Sequence, residues 1–210
     1  VDPDPYEYLD EVYFQQFGAG ANPDELNRTD APPMDGFVDN YTAAIAEWNG
    51  KFLHRHEKKD TVGAQIAYQY DATVLPNTWL LAQQFAVCDR WYCSVPSDTW
   101  PNRRFALSAT SYGDIYDTPK VEFSWPTIFD SMTTAGVTWK NYSGGPPLTA
   151  LLWPHLAIEA PFHFGSITDF ENHCAAGTLP TFSFIEPHYG SSGNSMHPPY
   201  PVSPGDLLIA

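Results

Sequence analysis

Apolar and polar residues alternate along this chain in short blocks separated by Gly, Pro, Asn and Asp. Phe37–Trp48 reads as a helix, and Asn49-Gly50 ends it. Residues 18–36, GAGANPDELNRTDAPPMDG, ahead of it read as a long turn-rich loop. After Pro76, either Asn77 or Thr78 caps a short helix that runs through Phe85. The next run, AVCDRWYCSV, is apolar and aromatic and predicts a strand. It passes directly into PSDTWPNRRFALSAT, where Pro101 suits the first turn of a helix, Asp98 or Thr99 its cap, and Arg103–Ala109 its body. SWPTIFDSMTTAG predicts a further helix stopped by Gly136, VTWKNY a strand, and TFSFIEP (181–187) another. GPPLTALLWPHLAIEAPFHF, between those strands, reads as irregular. The alternation of helix and strand predicts an α/β layer with a mostly parallel sheet flanked by helices. Sites in such sheets lie beyond the carboxyl ends of the strands. The Thr99 and His197 loops both follow predicted strands, so both are expected at that edge.

Composition narrows the picture. The 210 residues suffice for one large domain with its own core, and 43% of them are hydrophobic. Twenty Pro, fourteen Gly, seven Trp, twelve Tyr and thirteen Phe describe ordered loops around a rigid core rather than a disordered chain. No apolar run has the length of a membrane span. Residues 1–14, VDPDPYEYLDEVYF, are acidic and aromatic, without the basic leader and apolar core of a signal peptide. Ten Lys and Arg face twenty-five Asp and Glu. The resulting net charge of −15 argues against a partner such as duplex nucleic acid, which needs a basic surface. Cys88, Cys93 and Cys174 show no zinc-ribbon spacing; Cys88 and Cys93 bridge only if the segment between them bends. His54 and His56, at i and i+2, share no helix face and read as solvated.

Against the acidic background, SDTWPNRRF (97–105) stands out for its adjacent Arg103 and Arg104. A helix N-terminus offers unpaired N–H groups and a positive dipole to an anion such as phosphate. A hydroxyl at that point, Thr99, can attack phosphorus; the bland reading makes Thr99 a cap and nothing more. Asn102 either bonds a phosphate oxygen or braces the loop, and Arg103 binds either phosphate or an internal carboxylate. His197, in SMHPP, either touches substrate, protonates a leaving group, or is a turn residue fixed by the two prolines after it. Glu186, at the end of FIEP, reads as one half of a structural ion pair. His155, His163, His173, Tyr68 and Tyr70 read as packing or surface residues.

VLPNTWLLAQQFAVCDRWYCSVPSDTWPNRRFALSAT resembles the central signature of a phosphoesterase family. That family includes bacterial phospholipases C of the metal-poor type and an acid phosphatase, and it belongs to the alkaline-phosphatase superfamily. TIFDSMTTAGVTWKNY resembles its helix–strand segment. GTLPTFSFIEPHYGSSGNSMHPP resembles its Gly-x-Leu-Pro, Ser-Phe-Ile-Glu-Pro and His-Pro-Pro blocks. The resemblance runs in order from about residue 66 to 210 and implies an alkaline-phosphatase-like fold. It implies a single domain over 1–210 that corresponds to the middle of a larger phosphoesterase domain. Thr99 takes the nucleophile position and His197 a second catalytic one, with Asn102 and Arg103 at the substrate. The implied substrate is a small-molecule or lipid phosphate ester, the implied location secreted or cell envelope, and the implied cofactor a divalent metal.

The family's Glu-Asn-x-Ser-Phe-Asp and Tyr-Asp-Glu-His-Gly-Gly segments, which supply metal ligands, have no counterpart here. Asn194, Ser195 and Met196 stand where acidic residues usually precede His-Pro-Pro. The stretch around Thr99 offers only Asp98 as a ligand. The expectation is therefore no metal held by this chain's own residues at Thr99, and a site completed by flanking segments or a second polypeptide. The competing expectation is a non-catalytic family member that acts as a binding or interaction protein.

Overall fold

The computed structural model describes residues 3–22, 31–51, 60–118, 125–159, 161–190 and 192–210. In chain order the helices and strands are α1 (Leu9–Phe17), α2 (Phe37–Lys51), α3 (Pro76–Gln84), α4 (Thr99–Ser108), α5 (Ile128–Thr134), β1 (Trp139–Ser143), α6 (Leu148–Leu152), α7 (Pro154–Glu159), β2 (Phe164–Ser166), α8 (Ile167–Ala176), β3 (Phe182–Glu186) and α9 (Ser203–Ile209). Single 3-10 turns cover Gly63–Ala67 and Pro161–His163.

The strands form one parallel sheet in the order β2-β1-β3, with Trp139 opposite Phe182, Ser143 opposite Glu186, and Asn141 opposite Phe164. Parallel neighbours need crossovers. Here α6 and α7 connect β1 to β2, and α8 connects β2 to β3. The expected α/β arrangement, a parallel sheet flanked by helices, is therefore the one observed. Central β1 buries Trp139, Asn141 and Tyr142, as a strand covered on both faces should.

Among the described residues, two apolar cores result. The larger joins Leu107 of α4, Phe129 of α5, Trp139, Leu152, Trp153 and Leu156. Phe129 is its hub, 4.6 Å from the Trp139 ring and 5.9 Å from that of Phe184. The smaller joins Tyr41, Ala44 and Ile45 of α2, with Tyr6 and Ile66 against them.

Several expectations need correction. AVCDRWYCSV is not a strand: it joins no ladder, and Val87, Trp91 and Tyr92 are 65, 83 and 80% exposed. Apolar, aromatic composition makes a strand only where another strand lies alongside. Here the backbone N–H groups of Ser94 and Val95 go instead to the side chain of Asn102. Residues 145–164 are not irregular but hold α6, α7 and the start of β2, elements too short to show a period. The α3 cap is neither Asn77 nor Thr78. Pro76 already belongs to the helix, and its first N–H groups are taken by Asp206 of α9. The segment 1–14, read only as acidic and aromatic, contains most of α1. His54 and His56 lie outside the described residues.

Candidate active site

α4 begins at Thr99, and the loop before it is built on one side chain. Asn102 Oδ1 accepts the N–H groups of Ser94 (3.0 Å) and Val95 (3.1 Å). Its Nδ2 donates to the carbonyls of Val95, Ser97 and Asp98 at 2.8, 3.2 and 3.0 Å. Of its two expected roles, Asn102 performs the bracing one. The expected caps do not cap: the Trp100 N–H donates to Asp117 Oδ1 at 2.6 Å, and Asp98 Oδ2 accepts the N–H of Asp117 at 2.7 Å. One backbone donor expected for phosphate is therefore already held by a carboxylate.

The two arginines are both tied inward. Arg104 has no exposed surface and bonds Asp114 at 2.5 Å and the Thr118 carbonyl at 3.2 Å. Arg103 lies 3.6 Å from Glu186 and donates to the Tyr189 hydroxyl at 3.1 Å. Glu186 is fully buried and accepts from Asn141, Leu148 N–H and Thr149 N–H at 2.8, 3.0 and 3.1 Å. Its sequence reading as an ion-pair partner matches this geometry, and Arg103 sits on the internal carboxylate of its two expected partners.

Between the two cores lies an open cavity of about 810 Å³. Glu7, Asp98, Thr99 and Arg103 line it together with Gln15, Asn40 and the apolar Val12, Phe37, Tyr41, Ile66, Leu107 and Phe184. Thr99 is exposed there, and its hydroxyl lies 3.5 Å from Glu7 Oε2. A second cavity that shares Glu7 and Asp98 with the first is also lined by Asp4, Asp117 and His197. His197 Nε2 is 3.5 Å from Asp4 Oδ2, and one ligand atom each from Asp4, Glu7 and His197 lies within 4.8 Å of the others. Loss of water raises the Glu7 carboxyl above its ordinary range, and Asp4, Asp117 and Asp98 add to that shift while His197 opposes it. Asp4 and Asp117 are raised as well, first by burial.

Thr99 and His197 thus both come close to Glu7. They do not arrive there as ends of adjacent strands: Thr99 follows a loop, and His197 lies well past β3. Sequence reasoning counted Asp98 as the only ligand near Thr99, whereas the fold adds Asp4, Glu7, Asp117 and His197. No local motif links residue 7 to residue 99, so only the acidity of the first residues hinted at them. His155, His163 and His173 bond Asp130, the Trp139 carbonyl and the Tyr142 hydroxyl at 3.3, 2.7 and 2.7 Å and line neither cavity. Tyr68 and Tyr70 line a separate hollow with Met196 and Tyr200. Cys88, Cys93 and Cys174 are free and exposed.

The fold is thus a parallel α/β sheet flanked by helices, with a hydroxyl at the head of α4 beside a carboxylate. The chain belongs to the phosphoesterase family, whose family-level pattern matches residues 15–210. It is 31% identical, over its whole length, to non-specific phospholipase C4 of Arabidopsis thaliana and 32% identical to non-specific phospholipase C3 of the same plant. These matches cover 38% and 39% of the two relatives, so the chain spans about two fifths of their length. Phospholipase C B of Mycobacterium tuberculosis (strain H37Rv) is 35% identical over 83 residues, which are 35% of this chain and 16% of that protein. Among the described residues no helix is long and apolar enough to cross a membrane.

Proposed function

We propose that this chain carries the nucleophile of a phosphoesterase, with Thr99 attacking the phosphorus of a phosphodiester or phosphomonoester. The observation that carries the reading is the exposed Thr99 hydroxyl at the mouth of the cavity, 3.5 Å from Glu7. A threonine hydroxyl is a weak nucleophile until a neighbour takes its proton. Glu7 is that neighbour, its carboxylate oxygen 3.5 Å from the hydroxyl. As Oγ1 bonds to phosphorus its proton passes to Glu7, and the alcohol oxygen departs from the opposite face of phosphorus and takes its proton from water. Water then releases phosphate, or a phosphomonoester, from the phosphothreonine.

The surroundings are acidic, so a phosphate oxygen approaching Thr99 meets Glu7, Asp98 and Asp117. A divalent cation of the kind the family resemblance implies would neutralise that charge and lower the hydroxyl's pKa. Asp4, Glu7 and His197 are the residues that would hold it, and their mixed oxygen and nitrogen donors fit one. His197 thus belongs to the catalytic set as a donor to the cation. Arg103, although paired with Glu186, borders the cavity where a phosphate oxygen would lie, while Asn102 acts on the loop rather than on substrate.

The apolar lining favours an ester with an apolar alcohol, a lipid phosphodiester, over a nucleotide or simple sugar phosphate. The relatives named phospholipase C point the same way. The same resemblance carries the proposal of a secreted or cell-envelope location.

The test is hydrolysis of a chromogenic phosphate ester and of phosphatidylcholine, with and without divalent metal. It is run on the chain alone and with flanking segments or a second polypeptide supplied. Thr99→Ala should lower the rate by roughly a thousandfold or more, and a phosphothreonine should be trapped at residue 99 on acid quench. Equal rates for the wild type and Thr99→Ala remove Thr99 from the reaction.

A further inference from the structure

We propose that Asp4, Glu7 and His197 form a site for one borderline divalent cation of the manganese, cobalt or zinc type, and that the bound ion clasps the N-terminal segment to the 195–199 loop. The inference rests on the phosphoesterase reading for the ion's role at Thr99, while binding and clasping can be tested without it.

The first support is the donor geometry. Two carboxylates and one imidazole offer ligand atoms within 4.8 Å of one another. Mixed O,O,N sets suit manganese, cobalt and zinc, whereas calcium prefers six to eight oxygens. Three protein donors also leave coordination positions open to substrate or water.

The second support is the state of the imidazole. His197 Nδ1 lies 2.6 Å from the Pro198 carbonyl, which can only accept, so Nδ1 carries the hydrogen. In the neutral ring the Nε2 lone pair then faces Asp4, 3.5 Å away. Metal-bound histidines are fixed in this way, by a hydrogen bond from the other ring nitrogen.

The third support is independent of the trio. Asp98 is 4% exposed and lines the same cavity. One of its oxygens takes the Asp117 N–H, and the other, Oδ1, is buried without any hydrogen-bond partner. Asp4 Oδ1 is buried and unpartnered too. Buried acceptors without partners are costly, and four carboxylates here share little counter-charge. Arg104, whose charge acts on Asp117, is committed to Asp114. A cation between Asp4, Glu7 and His197 supplies the missing positive charge.

The clasp follows from where the donors sit in the chain. Asp4 and Glu7 precede the family-matched region, which starts at residue 15, and His197 lies near its other end. An ion held by all three joins segments almost two hundred residues apart. Pro5, Tyr6 and Glu7 line the Thr99 cavity, so occupancy also fixes that wall.

The experiment titrates the protein with Co²⁺ and follows its visible d–d absorption, with equilibrium dialysis against Mn²⁺ and Zn²⁺ and thermal unfolding at each concentration. The wild type and Thr99→Ala should bind one ion with equal affinity, and the ion should raise the Tm of both. Asp4→Asn, Glu7→Gln and His197→Ala, shown by circular dichroism to be folded, should each bind at least 10–100-fold more weakly and lose the Tm response. Absence of binding by the wild type, or binding unchanged in all three variants, overturns the site. Binding without any rise in Tm overturns the clasp. If Thr99→Ala abolishes hydrolysis while His197→Ala binds Co²⁺ normally, the inference fails and the phosphoesterase reading stands. If Co²⁺ binding follows the trio but Thr99→Ala hydrolyses at the wild-type rate, the reverse holds.

Discussion

Glu186 has no exposed surface, yet it places a carboxyl group at the end of β3. It is tolerated because Asn141, two backbone N–H groups of α6, Tyr189 and Arg103 surround it. Glu186→Ala would strand those donors and the Arg103 charge. The expected loss is about 3–5 kcal/mol, read from urea unfolding, and Glu186→Gln should lose less because it keeps an acceptor. Glu7 makes the opposite case. Its folded-state pKa is raised, so the fold binds its proton more tightly than the unfolded chain does. Below the ordinary carboxylate pKa both states are protonated and the residue costs nothing. As pH rises past the raised pKa, the fold must carry a charge next to Asp4, Asp98 and Asp117, with only His197 opposing, and stability falls. Without metal, Glu7→Gln should therefore raise Tm at neutral pH and leave it unchanged near pH 4. A variant that is less stable than wild type at pH 7 without metal contradicts this.

α3 shows the same logic one level up. None of its residues is buried, and Asp206 ties it to α9. Asp206 accepts the Asn77 N–H at 3.0 Å, the Thr78 N–H at 2.8 Å and the Thr78 hydroxyl at 2.6 Å. Burial pushes the Asp206 pKa up, but the bonds from Thr78 and Asn77 outweigh it and leave the carboxyl below its ordinary range. A depressed carboxyl contributes stability above its unfolded pKa and loses it as pH falls through the folded one. Asp206→Ala should speed amide exchange throughout α3, and acidification should do the same to the wild type; unchanged α3 exchange in the variant would place the anchor elsewhere.

This long-range cap also marks what the sequence could tell. Helices α2, α4 and α5 and strands β1 and β3 were legible because their own residues carry the pattern and the stops. α8 was legible but passed over: Ser166 and Asp169 form a reciprocal cap, and Gly177 ends the helix with φ near 65°. The Asp206 cap, the Glu7–Thr99 contact and the loss of the expected strand at 86–95 depend on partners about 90 to 130 residues away or on a missing neighbour. No window along the chain contains them.

Across the whole molecule, apolar surface and charge are unevenly placed. Trp79, Phe85, Val87, Trp91 and Tyr92 are 42–83% exposed around α3 and the loop after it, whereas Trp139 and Trp153 are at most 3% exposed. Acrylamide should therefore quench a red-shifted fraction of the tryptophan emission, and Trp91→Phe should remove much of that fraction without altering Tm. An emission spectrum unaffected by the substitution would mean that Trp91 is covered.

The Thr99 cavity lies between the two cores, one of six buried residues and one of three. Tyr41 of the smaller core and Ile66 packed against it line the cavity, with Val12 of α1 and Phe37 of α2. Local opening free energy tracks buried apolar contact, so the two sides of the cavity should not open together. The α1–α2 side should then act as the softer jaw and the sheet with α4 as the stiffer one. A ligand spanning both would gain its grip mainly by quieting the softer jaw, and the slowing of amide exchange in α1 and α2 on binding would measure how much.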